Sequence, residues 1–466
     1  MDLETDNKIQ KKGITLVIPN PCGNIRETKM KNSGVEWIGE IPEDWEVRKF
    51  KYFFDIYGGS GFKEEYQGQE NGDFPFCKAS DINGTEKNLI SAKNYVNQDL
   101  VDKESYIIIP KNSILVSKIG EALKKNHRKV NLVNCIVDNN CEGFVLNSKN
   151  DINYLYYVLK CIDMSWFDNG GTIPSINNFK LKNFLLPNCL YETQQRIAIY
   201  LDKKCSKIEE TIQNQQQVIE KLKAYKQSLI TEAVTGKIKI QNGKVCGKYE
   251  NYKDSGVEWI GKIPSGWKCK RLKFIVNSFK KGNGITKDEV FVNGDTPCVR
   301  YGELYTKYNY SFTECFSKTR KDVLQTLQYF SYGDILFTCT GELIEEIGKN
   351  TVYLGNEKCL AGGDLIIASH SQNPSFLSYA LNSNYAQTQK SMGKAKLKVV
   401  HISAREIGNI LTILPPIEEQ ERIANFLDKQ CIAIESSIEK KQNLIEKLTE
   451  YKKSLIYECV TGKKEI

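Results

Sequence analysis

Two separate stretches of this 466-residue chain hold side chains suited to gripping phosphate. In the first, Lys124, Lys125, His127, Arg128 and Lys129 form a run of cations that a loop or strand edge can present. Downstream, Gly170-Gly171-Thr172-Ile173-Pro174-Ser175-Ile176-Asn177-Asn178 combines a tight backbone with hydroxyls and amides. Thr172, Ser175, Asn177 and Asn178 can bond base edges or a sugar–phosphate backbone. In the second stretch, Arg300, Tyr301, Tyr305 and Lys307 make a basic–aromatic patch, and Lys390, Lys394, Lys396, Lys398 and His401 a further basic run. A solvated charged face would use the same residues, so these are candidates on chemistry alone.

Other chemistries are harder to build. There is no GxxxxGK[ST] phosphate loop; the glycines of 58–61 (GGSG) and 281–287 (KGNGITK) do not match it. No Asn/Asp-Pro-Pro-Tyr/Phe amino-methyltransferase motif and no GxSxG elbow occur. The 15 cysteines are scattered without a CxxC pair, and the three histidines (His127, His370, His401) lie far apart. The thiols are expected to be reduced and often buried, with no metal site. The chain therefore reads as non-catalytic. A net charge of +8 and a pI near 8.6 permit nucleic-acid binding without demanding it. No apolar run reaches membrane-spanning length and no signal-peptide core opens the chain, so a cytoplasmic protein is expected.

An internal repeat organises these candidates. Residues 33–51 and 255–273, which open SGVEWIGEIPEDW and SGVEWIGKIPSGW, agree at 11 of 19 positions. Residues 194–237 and 420–463 agree, without gaps, at 26 of 44. Short motif, variable block, long motif occur in that order twice, and the variable blocks 52–185 and 274–413 share only faint similarity. A period this long is not a solenoid; it describes a tandem duplication with two-fold pseudo-symmetry.

The long motif is a helix with a seam. Ile197, Leu201, Cys205, Ile208, Ile212, Ile219, Leu222 and Leu229 match Ile423, Leu427, Cys431, Ile434, Ile438, Ile445, Leu448 and Leu455, at alternating spacings of three and four after the first turn. Gln215 and Lys441, then Lys226 and Lys452, interrupt the seam at matching places. Pro187 precedes one helix and Pro415-Pro416 the other; Gly236 and Gly462 are placed to stop them. About 40 residues would span ~60 Å, and the two helices are expected to pack antiparallel. The first copy, from Leu186 to Gln194, reads as two residues longer at its start than the second. In the short motif, Trp37 and Trp259 should anchor the join between block and helix, with a partner site as the sharper alternative.

Within the variable blocks, Phe74-Pro75-Phe76 and Pro297-Cys298-Val299 each follow an Asn-Gly-Asp turn. Ser113–Gly120 and Asp334–Gly341 each read as a strand ending in glycine. These landmarks predict one diverged fold in both blocks. The expected class is α+β: two mixed α/β domains joined by two long antiparallel coiled-coil helices. The expected parts are an N-terminal extension (1–30), a first domain (31–185), a central helix and linker (186–252), a second domain (253–413) and a C-terminal helix (414–466).

Glu36-Trp37-Ile38-Gly39 with Ile41-Pro42, the copies Glu258-Trp259-Ile260-Gly261 with Ile263-Pro264, and Glu419-Gln420-Glu421-Arg422-Ile423-Ala424 after Leu414-Pro415-Pro416 carry a resemblance. From about residue 31 onward the chain resembles the specificity subunits of type I restriction–modification systems. That resemblance implies two target-recognition domains, each reading one half of a split, asymmetric double-stranded DNA site. It implies that the helices act as a ruler and dock two modification subunits. It implies no cofactor in this chain, with S-adenosylmethionine, ATP and Mg held by modification and restriction subunits. Three rival readings are a type II-like system using a similar reader, a free-standing DNA-binding regulator, and a coiled-coil adaptor. Only partner subunits would separate the first; a regulator would bind its site without them; the diverged inserts argue against an adaptor. Residues 1–30 have no counterpart in the repeat and would form a tail or cap the last helix.

Overall fold

The computed structural model describes residues 29–84, 86–258, 260–324, 326–341, 343–394 and 400–466. The heptad pattern gives two helices of equal length, Tyr191–Val234 and Ile417–Val460, 44 residues each. The chain forms two compact units. One comprises residues up to 210 together with 447–466; the other comprises 211–446. Each unit therefore contains one variable block, one short motif and a portion of both long helices.

Inside each unit the helix segments are paired by the seam. Ile208, Ile219 and Ile434 are buried, and Ile212, Leu222, Ile438, Ile445 and Leu448 are half-buried. The polar interruptions find partners. In the second unit Lys226 bonds Glu435 at 3.1 Å, and Lys441 bonds Gln215 at 3.0 Å. Contacts that advance along one helix retreat along the other, so the segments are antiparallel. In the first unit Lys452 bonds Glu209, the repeat equivalent of Lys226–Glu435. Such half-buried polar contacts fix register at some expense of stability.

The helices stop at Gly236 and Gly462, with φ of +73° and +72°, because only glycine takes this left-handed conformation without strain. Each stop is covered by the short motif of its own unit: Pro264 and Trp267 on Gly236, Pro42 and Trp45 on Gly462. Each proline–tryptophan corner thus seats on the helix of the other repeat copy. Trp37 donates its Nε1–H to Leu185 O (3.2 Å) and stacks on Phe184. It sits where the block runs into the helix, as expected; Trp259 lies outside the described residues, as do residues 1–28.

The two helix starts correct the expected length difference. Leu185–Asn188, containing Pro187, is a strand paired with Glu46–Lys49, and Leu411–Leu414 pairs likewise with Lys268–Arg271. Pro187 thus corresponds to Ile413, not to Pro415, and the copies are in register. The buried Gln194 and Gln420 close both starts alike. Their amides donate to Cys189 O (2.9 Å) and Pro415 O (3.0 Å), and their carbonyls accept from Asp151 N (2.8 Å) and Asn373 N (3.0 Å).

The variable blocks share one fold. In the first, a five-stranded sheet contains β1 (Phe54–Gly58), β2 (Asn88–Leu89), β3 (Ile114–Ser117), β4 (Arg128–Asn131) and β5 (Cys141–Leu146), in the order β1-β5-β3-β4-β2. In the second, β6 (Val276–Lys281), β7 (Ser311–Phe312), β8 (Ile335–Thr338), β9 (Asn350–Tyr353) and β10 (Leu365–His370) take the same order, β6-β10-β8-β9-β7. The predicted turn-to-strand segments are the strands Phe74–Cys77 and Thr296–Val299 of a smaller sheet in each block. A helix then packs each domain onto a long helix through the same bond. Tyr157 OH donates to Asp202 (2.7 Å) in one unit and Tyr379 OH to Asp428 (2.8 Å) in the other. In the second unit a single core joins Leu229, Ile230, Trp267, Ile335, Phe337, Phe376, Ile423 and Leu427.

Lys390 departs from its expected role. Its side chain is buried and donates to Gly348 O (2.7 Å) and Asn350 Oδ1 (3.0 Å). Burial without a carboxylate pushes its pKa down to about 7. The unfolded chain, with lysine near 10.5, then holds the proton that the folded chain releases, so Lys390 favours folding more as pH rises above about 7. Relative to Lys390→Met, the wild-type chain should gain about 2 kcal/mol of stability between about pH 7 and about pH 9. Urea unfolding of both proteins at the two pH values measures this. An unchanged difference would mean that Lys390 is charged throughout.

Candidate nucleic-acid interface

In the first unit the Gly170–Asn178 loop is tied down at both ends. Ser175 N bonds Asp168 Oδ1 (2.9 Å), and Asn177 caps the helix Asn178–Asn183, accepting from Phe179 N and Lys180 N. The capping amide is therefore spent on backbone. The middle of the loop joins the end of β3: Gly120 N bonds Pro174 O (2.8 Å) and Ile176 N bonds Lys118 O (3.0 Å). This seats the loop against the short helix Gly120–Lys124. Thr172, Lys124 and Lys125 are exposed there; Lys124 also pairs with Glu121 at 2.6 Å. Ile173, Trp166 and Phe179 are large exposed apolar groups around the same loop.

Two members of the basic run are corrected. Arg128 is 1% exposed, and its guanidinium donates to Leu159 O and to Ile162 O (3.0 Å). It adds donors to carbonyls at and just beyond the end of the helix Ile152–Lys160, which also accept from Ile162 N (3.0 Å) and Asn126 Nδ2 (3.1 Å). Strand alternation sends β4 side chains alternately to opposite faces, so a run of cations along a strand does not form one surface. Lys129 is likewise buried, with its ammonium 3.9 Å from Glu86. His127 is half-buried, and burial lowers its pKa.

In the second unit the candidates line two grooves. One, of about 550 Å³, is lined by Arg300, Tyr301, Lys307, Phe316 and Asp364. Arg300 pairs with the buried Glu303 (3.2 Å), and Lys307 lies 4.1 Å from the Phe316 ring centroid. The other, of about 400 Å³, also touches Asp364 and is lined by Phe279, Lys281, Cys339, Ile366 and His401. His401 Nδ1 lies 3.2 Å from Thr340 Oγ1. Lys394 bonds Glu406 at 2.7 Å. Burial raises the Glu406 pKa, but the bonds from Lys394 and Ser403 outweigh it and hold the group at about 2. Tyr305 is corrected in part: it is half-buried and its hydroxyl bonds Thr338 Oγ1 and Thr340 O, each at 2.7 Å. Lys396 and Lys398 lie outside the described residues.

Lys118 and Lys281 were not singled out in the sequence. Each stands at a strand end, and only the pairing of strands brings it to its place. Among the described residues no group of three or more His, Cys, Asp or Glu could hold a metal ion, and no helix is long and apolar enough to cross a membrane.

The family description "Type I restriction modification DNA specificity domain" matches residues 42–224 and again 264–447. The chain belongs to this family. The type I restriction enzyme MjaIX specificity subunit of Methanocaldococcus jannaschii is 27% identical over 343 residues, covering 70% of this chain and 72% of that one. The EcoR124I/EcoR124II specificity subunit of Escherichia coli is 26% identical over 180 residues, 37% of this chain and 41% of that one. In structure the chain is similar to a protein solved for the structural basis of complex assembly and conformational transition of the type I R-M system. That match has a TM-score of 0.64 at 15% identity, over 91% of this chain and 99% of the other. As a specificity subunit the chain is a DNA-recognition component without catalytic machinery of its own. The family match falls on both copies of the repeat, each with its recognition domain and most of a long helix.

Proposed function

We propose that this specificity subunit reads a bipartite, asymmetric DNA site, one half with residues 52–185 and the other with 274–413. One fold, built twice with different surface groups on a repeated helical frame, is the observation that carries this reading. A symmetric reader would have kept its two surfaces alike. The long helices act as a ruler for the spacer and dock two modification subunits, which bind S-adenosylmethionine and methylate adenine. Restriction subunits add ATP- and Mg-dependent translocation and cleavage. The complex works on DNA in the cytoplasm.

The test is a map of methylated adenine in host DNA, with and without this chain, the modification subunit being supplied. The expected result is a split motif that appears only with the chain and changes in one half only when residues 52–185 are exchanged. A one-turn insertion in both long helices should change the spacer and leave both halves intact. No new motif from an assembled complex would overturn the reading.

A further inference from the structure

Main-chain hydrogen bonds set the two recognition domains in register residue by residue. Gly59 N bonds Cys141 O (3.2 Å) as Gly282 N bonds Leu365 O (2.8 Å). Lys118 N bonds Asn140 O as Cys339 N bonds Asp364 O, both at 2.8 Å. Ile176 N bonds Lys118 O (3.0 Å) as Ile402 N bonds Cys339 O (2.8 Å). Four positions at the loop end of each sheet therefore correspond. They are Gly58, Lys118, Glu142 and Asn178 in the first domain, and Lys281, Cys339, Ile366 and Ala404 in the second.

The chemistry at these positions differs. In the first domain Lys118 Nζ lies 3.5 Å from Glu142 Oε1, and Asn178 Nδ2 donates to the same oxygen at 2.9 Å. Glu142 is buried, and its Oε2 and the Asn178 Oδ1 are buried without a hydrogen-bond partner. Unsatisfied buried oxygens are costly, and their persistence in a folded domain points to a demand other than stability. The Lys118 ammonium would lie 3.9 Å from a Cβ on Gly58. In the second domain a lysine, Lys281, grows from that same Gly58 position. The places of Lys118, Glu142 and Asn178 are taken by Cys339, Ile366 and Ala404. With Phe279 and Ile402 these floor the 400 Å³ groove. A lysine is thus presented at this end of both sheets, from different strands, while the floor beside it changes from charged to apolar.

We infer that this end of each sheet is a base-reading site, taking guanine in one half-site and thymine in the other. The step rests on the function proposed above. Lys118, aimed by Glu142 and Asn178, donates to the O6 and N7 acceptors that guanine presents in the major groove. The apolar groove beside Lys281 receives the C5-methyl of thymine, the one apolar group on that edge. Glu142 is a positioning residue: it touches no base.

The experiment uses the chain assembled with its modification subunit, methylating a randomised duplex library whose modified members are sequenced. Lys118→Met should relax a single guanine position of the first half-site by at least about tenfold and leave the second half-site unchanged. Ala404→Leu, which fills the groove, should relax a single thymine position of the second half-site and leave the first unchanged. Loss of methylation spread evenly over all sequences, or both half-sites unchanged, would overturn the inference. Lys118→Met with Glu142→Gln is run beside Lys118→Met, because the methionine alone strands the Glu142 carboxylate. If Lys118→Met fails to assemble and the assembled double variant still requires guanine, Lys118 only holds the domain together, and the guanine assignment falls. A wild-type complex that shows no split motif fails the proposed function instead.

Discussion

Arg128→Met should cost about 3 kcal/mol or more of stability, whereas Lys124→Gln with Lys125→Gln should cost under about 0.5 kcal/mol. The three residues lie within five positions of one another, and only their environment separates them. Removing the Arg128 guanidinium takes its bonds away from Leu159 O, Ile162 O and Asn126 Oδ1 in a fully buried site. Hydrogen bonds made by a charged group contribute about 1.5–3 kcal/mol each. Burial lowers the Arg128 pKa to about 10, so the group is still charged at neutral pH and makes charge-assisted bonds. Lys124 and Lys125 are exposed and hold no core contact. Their loss should act on DNA instead, weakening binding by the assembled complex at all sequences alike. It should also flatten the dependence of log K on log salt by about 2. Urea unfolding and salt-dependent binding of the same two variants give the answer. An unfolded Lys124/Lys125 variant, or an Arg128→Met chain of wild-type stability, would reverse the assignment.

Gly462→Ala and Gly236→Ala should each cost on the order of 3 kcal/mol. A Cβ at Gly462 would stand 2.4 Å from Pro42 Cδ and 3.3 Å from Trp45 Cε2; at Gly236 it would stand 2.4 Å from Pro264 Cδ and 3.2 Å from Trp267 Cζ3. Two penalties combine, a left-handed backbone and an overpacked corner. Gly261→Ala isolates the first, since its φ is +71° but nothing lies within 4 Å of the new atom. It should cost only about 1–2 kcal/mol. Denaturant midpoints of the three variants are directly comparable. If Gly462→Ala is no more damaging than Gly261→Ala, the proline–tryptophan corner is not packed on the helix end.

Much of the frame was legible because helical periodicity is a local signal that duplication wrote twice. The seam positions, the stops at Gly236 and Gly462, and the matching polar interruptions all follow from spacing alone. So did the common fold of the two blocks, from a turn before one strand and a glycine after another. Composition and the absent motifs pointed away from catalysis. Spacing could not say that Lys124 faces solvent while Arg128 and Lys129 are buried, because both faces of β4 are covered only in the folded domain. Nor could it pair Lys441 with Gln215, or carry each proline–tryptophan corner to the helix of the other copy, since those partners meet only in the folded chain. The prolines before the helices misled for the same reason. Pro187 looked like a helix start until strand pairing showed that it belongs to the sheet. The substitution of a lysine on one strand for a lysine two strands away in the sheet is invisible in an ungapped comparison of the blocks. Side chains from different strands can occupy one point in space only after the sheet has set their register.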